Sequence, residues 1–248
     1  MLQNIRNAEP RQEDWQMLMT RADKQVPSSE REEFDRSMHL FATNSMVSLH
    51  NKQMLKLLNC PVAISIATNT RNKMDNAFGD EKLEKQVLLC KGQHIMLTTN
   101  IWTQAGLVNG SLGEVVDIVY SPGSKPPDVP MYVTARIDNY TGPPWNKDDP
   151  KIVPISPVPL GSRRQIPLIM AWAITIHKSQ GLTLQKATID IGKTERQGLT
   201  FTSMSRVRTL NDLRIQPMFS YERYSKMQDN LQTISRKKEE ARLQQWSL

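Results

Sequence analysis

The sequence predicts an α/β fold: a parallel sheet with flanking helices, carrying a small inserted β-barrel and preceded by N-terminal linker helices. Three observations carry that reading. Residues 39–68 run apolar strand, amphipathic helix, apolar strand, the order of a parallel α/β sheet. Residues 90–160 change texture to short alternating β-runs separated by Gly and Pro. From residue 166 a continuous apolar run brings the first texture back.

The elements follow in order. Glu9-Pro10 can open a helix, because Pro is tolerated at the first helical position, and Trp15, Leu18 and Ala22 recur at helical spacing. Val26-Pro27 ends it. Ser29 followed by Glu32 has the capping-box pattern and predicts a second helix to about Met38. HLFAT (39–43) reads as a buried strand. Asn44 reads as the cap of a helix whose Val47, Met54, Leu55 and Leu58 form one stripe. Pro61 stops that helix, and VAISIAT (62–68) reads as the next strand. VLLCKGQHIMLTTNI and GLVNGSLGEVVDIVY supply β-runs punctuated by Gly92, Asn109-Gly110 and Gly113, and MYVTARI (131–137) supplies another. SPGSKPPDVP and TGPPW crowd the links with Pro and Gly. IPLIMAWAITI (166–176) reads as one strand buried on both faces, and ATIDI (187–191) and DLRIQ (212–216) as two more, with a helix within 196–208. The tail from Ser225 is polar, and its sparse Leu231, Ile234 and Leu243 leave a packed helix and a mobile segment both open. The predicted segments are thus 1–38 (linker helices), 39–104 and 161–224 (two parts of the α/β lobe), 105–160 (the inserted barrel) and 225–248 (the tail).

Composition narrows the class. With 248 residues, 38% hydrophobic and 23% charged, the chain is globular; disorder, a collagen repeat and a disulfide scaffold are excluded. Its two cysteines, Cys60 and Cys90, lie in apolar stretches and read as buried free thiols of a reducing compartment. The longest apolar run falls well short of the ~20 residues a membrane helix needs. The first residues carry charges where a signal peptide is apolar, so an intracellular protein is expected. The net charge is +7, and residues 161–214 hold nine basic and three acidic side chains, whereas residues 1–38 hold eight acidic and six basic. Such a cluster suits a polyanion; a solvated basic face is the alternative.

Ligands of parallel sheets bind outside the carboxyl ends of the strands. Beyond the strand ending near Ile176 stand His177, Lys178, Ser179, Gln180 and Gly181. This donor-rich turn, with a Gly permitting close backbone approach, suits phosphate; a polar connecting loop is the alternative. GLTFTSMSRVR puts Arg206 and Arg208 at the end of a helix, where a guanidinium can face a γ-phosphate or simply complement the helix dipole. Trp172 reads as core, while Trp102 and Trp145 flank the barrel and suit DNA, a partner or rim packing. Gly192–Thr194 has Ala187 where a phosphate loop needs its first Gly, and Asp80-Glu81 has no apolar strand before it. No metal site is predicted.

PLIMAWAITIHKSQGLTL resembles motif V, and FTSMSRVRTLNDL motif VI, of the petite-integration-frequency (PIF) DNA helicases, RecD-like superfamily-one enzymes related to Helitron helicases. LFATNSMVSLHN (40–51) resembles their motif IV. CKGQHIMLTTNIWTQAGLVNGSLGEVVDI (90–118) resembles the stretch leading into their Src-homology-three-like barrel, and residues 1–21 the linker after motif III. The order holds to about residue 218. The resemblance implies a second RecA-like lobe with Arg206 as arginine finger and Arg208, Gln180 and Gly181 on the nucleotide side. It implies Thr175, His177 and Lys178 on the backbone of single-stranded DNA, with Thr43 and Asn44 on a phosphate further along. The P-loop and the Asp-Glu magnesium pair of the first lobe have no counterpart among these residues. ATP and Mg2+ are therefore expected to bind only when a first RecA-like lobe completes the site. The expected partners are single-stranded DNA and that lobe, with no membrane. The expected activity is 5′ to 3′ translocation by the completed enzyme in nucleus or mitochondrion, the chain alone being inactive as an ATPase. A stand-alone single-strand-binding module and a partner-binding remnant are the alternatives.

Overall fold

The computed structural model describes residues 1–69, 83–161, 163–194, 198–229 and 231–244. The chain divides into two compact units, residues 1–49 with 173–248 and residues 50–172. The first unit begins with helices α1 (Leu2–Arg6), α2 (Gln12–Met19) and α3 (Ser28–Asp35), strand β1 (Met38–Phe41) and helix α4 (Asn44–Leu57), which continues into the second unit. The second unit holds β2 (Ala63–Ile66), β3 (Thr68–Asn69), β4 (Gln86–Leu89), β5 (His94–Leu97), β6 (Leu112–Val119), β7 (Tyr132–Ile137), β8 (Ile152–Ile155), β9 (Val158–Leu160), β10 (Arg163–Gln165) and β11 (Leu168–Met170). The chain returns to the first unit with β12 (Ala173–Thr175), β13 (Ala187–Asp190), α5 (Leu199–Met204), β14 (Leu213–Ile215), α6 (Tyr221–Ser225) and α7 (Leu231–Gln244). No helix among the described residues is long and apolar enough to cross a membrane.

The first unit is built on a parallel sheet of strand order β12-β1-β13-β14. Leu40, Ala173, Ala187, Ile189 and Ile215 are fully buried, as expected of short apolar strands covered on both faces. Residues 1–38 pack onto this sheet. Ala22 bridges Ile215 in parallel, Ile215 N donates to Arg21 O at 2.8 Å, and Leu18, Ala22 and Phe34 are fully buried. The acids of this segment meet the basic cluster: Lys186 pairs with Glu33 at 2.7 Å, and Arg214 with Asp35 at 2.7 Å and Asp23 at 3.5 Å. Arg21, Lys186 and Arg214 also surround the Phe34 ring, 4.9 to 5.6 Å from its centroid. Part of the positive charge between 161 and 214 is thus neutralised inside the fold. The tail, open on sequence grounds, forms α7, tied to the chain start by Lys237–Glu9 at 3.3 Å and by Arg236 Nη2 donating to Arg6 O.

The second unit centres on a five-stranded antiparallel sheet in the open order β11-β5-β6-β7-β8. Leu97, Val133, Ala135, Ile137 and Ile155 form its fully buried core, each large side chain contributing about 1.5–3 kcal/mol. Two smaller sheets, β2-β4 and β3-β10-β9, complete it. One buried polar pair is fully satisfied: Ser65 Oγ donates to Gln165 Oε1 at 2.8 Å, and Gln165 Nε2 donates to Ser65 O at 3.1 Å.

The structure corrects several sequence expectations. VAISIAT does not join the parallel sheet; β2 pairs antiparallel with β4, and Ile64 and Ile66 face solvent, so its apolarity does not mark burial on both faces. IPLIMAWAITI is two strands, because Ala171 and Trp172 break it: β11 runs antiparallel to β5, and β12 parallel to β1. The flanking stretches 50–104 and 161–172 accordingly give their strands to the second unit. Ser29 caps nothing; the helix starts at Ser28 after Pro27, and Met38 already belongs to β1. Thr43 rather than Asn44 caps α4, its hydroxyl accepting from Met46 N at 3.4 Å. Cys60 and Cys90 are not free thiols but a disulfide. The β2–β4 ladder sets Ala63 opposite Leu89, which brings the two cysteines to a Cα–Cα distance of 6.6 Å, within bridging range.

Candidate functional site

Strands β12 and β1 lie side by side with Thr175 opposite Phe41, and Ile176 N donates to Phe41 O at 2.9 Å. Both segments therefore leave the sheet at the same carboxyl edge. After β12 the chain winds a single anchored turn. Ser179 N donates to Thr175 O at 3.1 Å, Lys178 N to Thr175 Oγ1 at 3.3 Å, and Ser179 Oγ to Ile176 O at 2.7 Å. Ser179 is buried while His177, Lys178 and Gln180 are exposed, so a fixed backbone displays three donor side chains to solvent. Gly181 ends the turn at φ +88 with open space where a side chain would stand; its need is conformational rather than steric. After β1, Thr43 turns its hydroxyl onto Met46 N and Ser45 Oγ, and exposed Asn44 opens α4, whose first N–H groups favour an anion.

Arg206 follows α5 and reaches back to the turn. Its Nη1 donates to Ser179 O and to Leu182 O, each at 3.1 Å, its Nε to Thr202 O at 2.7 Å and its Nη2 to Ser205 Oγ at 2.8 Å. Four of the five guanidinium donors are thus committed. Burial lowers its pKa from the ordinary arginine value, yet the group stays charged. A backbone bond from Leu184 N to Arg206 O at 2.7 Å closes the connection. Arg208 lies just beyond, exposed, and no hydrogen bond or ion pair ties it to the turn among the described residues. The geometry therefore joins Arg206 to His177–Gly181, sets Thr43 and Asn44 on the adjacent strand end and leaves Arg208 apart. Ser179 O and Leu182 O escape sequence reasoning, since backbone acceptors carry no residue signature, and the Ser205 hydroxyl escapes it because a lone serine beside an arginine marks nothing.

No protein-family model matches the chain. The ATP-dependent DNA helicase PIF1 of Danio rerio is 32% identical over 170 residues, 68% of this chain and 25% of that protein. The PIF1 of Homo sapiens is 31% identical over 170 residues, with the same two shares. The crystal structure of a Bacteroides Pif1 helicase in complex with ADP-AlF3 and ssDNA matches at TM-score 0.60 and 26% identity, covering 90% of this chain and 49% of that one. The chain belongs to the PIF1-like superfamily-one helicases, as a C-terminal portion. It spans about a quarter of the length of the curated relatives it matches.

The parallel sheet of this PIF1-like portion also carries a concavity. A cavity of about 570 Å³ opens at the ends of β1 and β13, lined by Thr43, Met46, Asp190, Lys193, Met218 and Phe219 among others. Asp190 Oδ1 accepts from Gly192 N at 2.8 Å. Among the described residues no three His, Cys, Asp or Glu side chains gather as a cation site. Asp80-Glu81 lies outside the described residues. In the second unit Trp172 is buried and stacks on His94 at 5.6 Å, whereas Trp102 and Trp145 are 44% and 52% exposed.

Proposed function

We propose that this chain is the second RecA-like lobe of an ATP-dependent 5′ to 3′ DNA helicase. In this reading it supplies an arginine finger, Arg206, and half of a single-stranded DNA track. The observation that supports it best is the 3.1 Å bond from Arg206 Nη1 to Ser179 O, which puts the guanidinium and the donor-rich turn in one site. Lys178 and His177, with Thr175 beneath them and Thr43 and Asn44 on the neighbouring strand end, suit a sugar-phosphate backbone gripped without regard to sequence. Arg206, Gln180 and Gly181 form the nucleotide-facing group, and Arg208, which stands apart from the turn, is assigned to it on the resemblance alone. Their donors fit phosphate oxygens, while a magnesium-binding carboxylate pair belongs to a first lobe. ATP, bound when such a lobe completes the site, supplies the phosphoryl transfer that drives translocation. A finger of this kind is worth ~10³–10⁵ in rate in related NTPases. The relatives named as ATP-dependent DNA helicases, and the structure with ADP-AlF3 and ssDNA, support this reading.

Fluorescence anisotropy with a labelled oligothymidylate tests it. The chain is expected to bind at low salt and to weaken as salt rises, and Lys178→Ala should reduce the salt slope by about one. Absence of binding at low salt, or binding indifferent to Lys178, would sink the DNA-track reading. The sequence 1–248 contains no G-x-x-x-x-G-K-[ST] loop, so the chain alone should release no phosphate from ATP. DNA-stimulated hydrolysis by these residues alone would overturn that part.

A further inference from the structure

The Arg206 guanidinium points inward as much as outward, and its partners say what it does before any ligand arrives. Nη1 bridges two carbonyls of one turn, Ser179 O and Leu182 O, and Nε holds Thr202 O on α5. Only Nη2 faces a replaceable partner, the Ser205 hydroxyl, which itself leans on Thr202 O at 3.1 Å. The turn has few other ties to its surroundings. Its own bonds are local, from Ser179 N, Gln180 N and Leu182 N to residues three or four positions back, and its three donor side chains stand in solvent. Gly181, with φ +88 and nothing packed at its Cβ position, adds no lateral support.

We propose that Arg206 is the positioning residue of the His177–Gly181 turn. Nε and Nη1 staple the turn to α5, and Nη2 is the working edge left for an oxyanion, with Ser205 Oγ as its placeholder. An anion can displace Ser205 without releasing the turn; one that captures Nη1 loosens it. Arg206 thereby links a bound phosphate to the posture of Lys178 and His177. This deepens the proposed function and rests on its reading of the turn as a phosphate contact.

Amide hydrogen exchange on the ligand-free chain is the test, with Arg206→Lys and Ser205→Ala. Lysine keeps the charge but lacks the fork. Exchange at Ser179, Gln180, Leu182 and Leu184 should accelerate at least about tenfold in Arg206→Lys and stay within about threefold of the parent in Ser205→Ala, with Leu40 and Ile189 unchanged in both. Unchanged turn protection in Arg206→Lys overturns the proposal. So does loss of protection throughout β1, β13 and β14, which would make Arg206 a support of the whole sheet. Because no DNA is present, the outcome is independent of the oligothymidylate experiment. Accelerated exchange without DNA binding would retain the staple and discard the track; DNA binding with unchanged exchange would do the reverse.

Discussion

The two units are held together by different means. In residues 50–172 the core under the antiparallel sheet is hydrocarbon, with Leu97, Val133, Ile137 and Ile155, and the buried polar side chains are neutral: Ser65 and Gln165 satisfy each other, and Gln93 accepts from Cys90 N and donates to Leu88 O. In the parallel unit the interior holds guanidinium groups. Arg21, Arg214 and Arg223 are all buried, Arg21 donating to Leu213 O and Asn211 O, Arg214 to Thr188 Oγ1 and Asp35, and Arg223 to Ile191 O and Gly192 O. Apolar packing contributes stability without direction, whereas a buried fork fixes which carbonyls sit where and adds little net free energy. Of the carbonyls so fixed, those of Ile191, Gly192 and Asn211 lie in connections, and that of Leu213 opens β14. The unit that carries the candidate site is therefore the one whose loops are placed by charge.

The contrast can be broken experimentally, and the largest effect should come where both principles meet. Phe34→Ala removes a fully buried ring and the surface on which three cations rest, and should cost about 4 kcal/mol in urea denaturation. An effect below that of a surface substitution would refute the role of this ring. Ile137→Ala should cost about 3 kcal/mol, with exchange protection lost in the antiparallel sheet first. Arg214→Met sharpens the comparison. Asp35 is largely solvent-exposed and Asp23 keeps partial access to water, so no charge is stranded in the interior, and the loss should be only about 1–2 kcal/mol. A loss as large as that of Phe34→Ala would show that the charge network, not the ring, holds the N-terminal segment.

The smallest effect is a pH dependence confined to the apolar unit. Burial holds the His94 imidazole below its ordinary pKa of 6.5, although Glu114 and Asp138 partly oppose this. The unfolded chain then takes up its proton first as pH falls. Stability is full above about 6.5 and declines as the pH drops from there toward the folded-state value. Urea midpoints between pH 7.5 and 5.5 should show the decline, and His94→Phe should lessen it, the remainder falling to His50, whose imidazole burial also holds below its ordinary pKa. A midpoint that rises on acidification would reverse the sign and refute the assignment.

What the sequence disclosed divides along the same line. The positions of β1, β13 and β14 were legible because each is a short apolar run between polar turns, and the His177–Gly181 turn because its donors are contiguous. Pairing was not legible. VAISIAT and IPLIMAWAITI carry enough apolarity for a parallel strand, and only the ladders with β4 and β5 show where they belong. Cys60 and Cys90 lie 30 residues apart, and nothing local marks them as neighbours. The acids of residues 1–38 and the cations of 161–214 were visible as two charge excesses, but not as partners of one another. Arg206 stands out in the sequence by its surroundings in the chain, but its carbonyl acceptors do not, since every residue type offers the same oxygen.

The embrace between Glu33, Asp35 and Asp23 on one side and Lys186 and Arg214 on the other has a practical corollary. A protein trimmed to begin at Met38 would uncover cations that the intact molecule reserves for itself. It would cling to any polyanion in the tube, heparin as readily as DNA. A rise in affinity after such trimming would report the loss of an internal counter-ion, and only the untrimmed protein can say what the surface was made to hold.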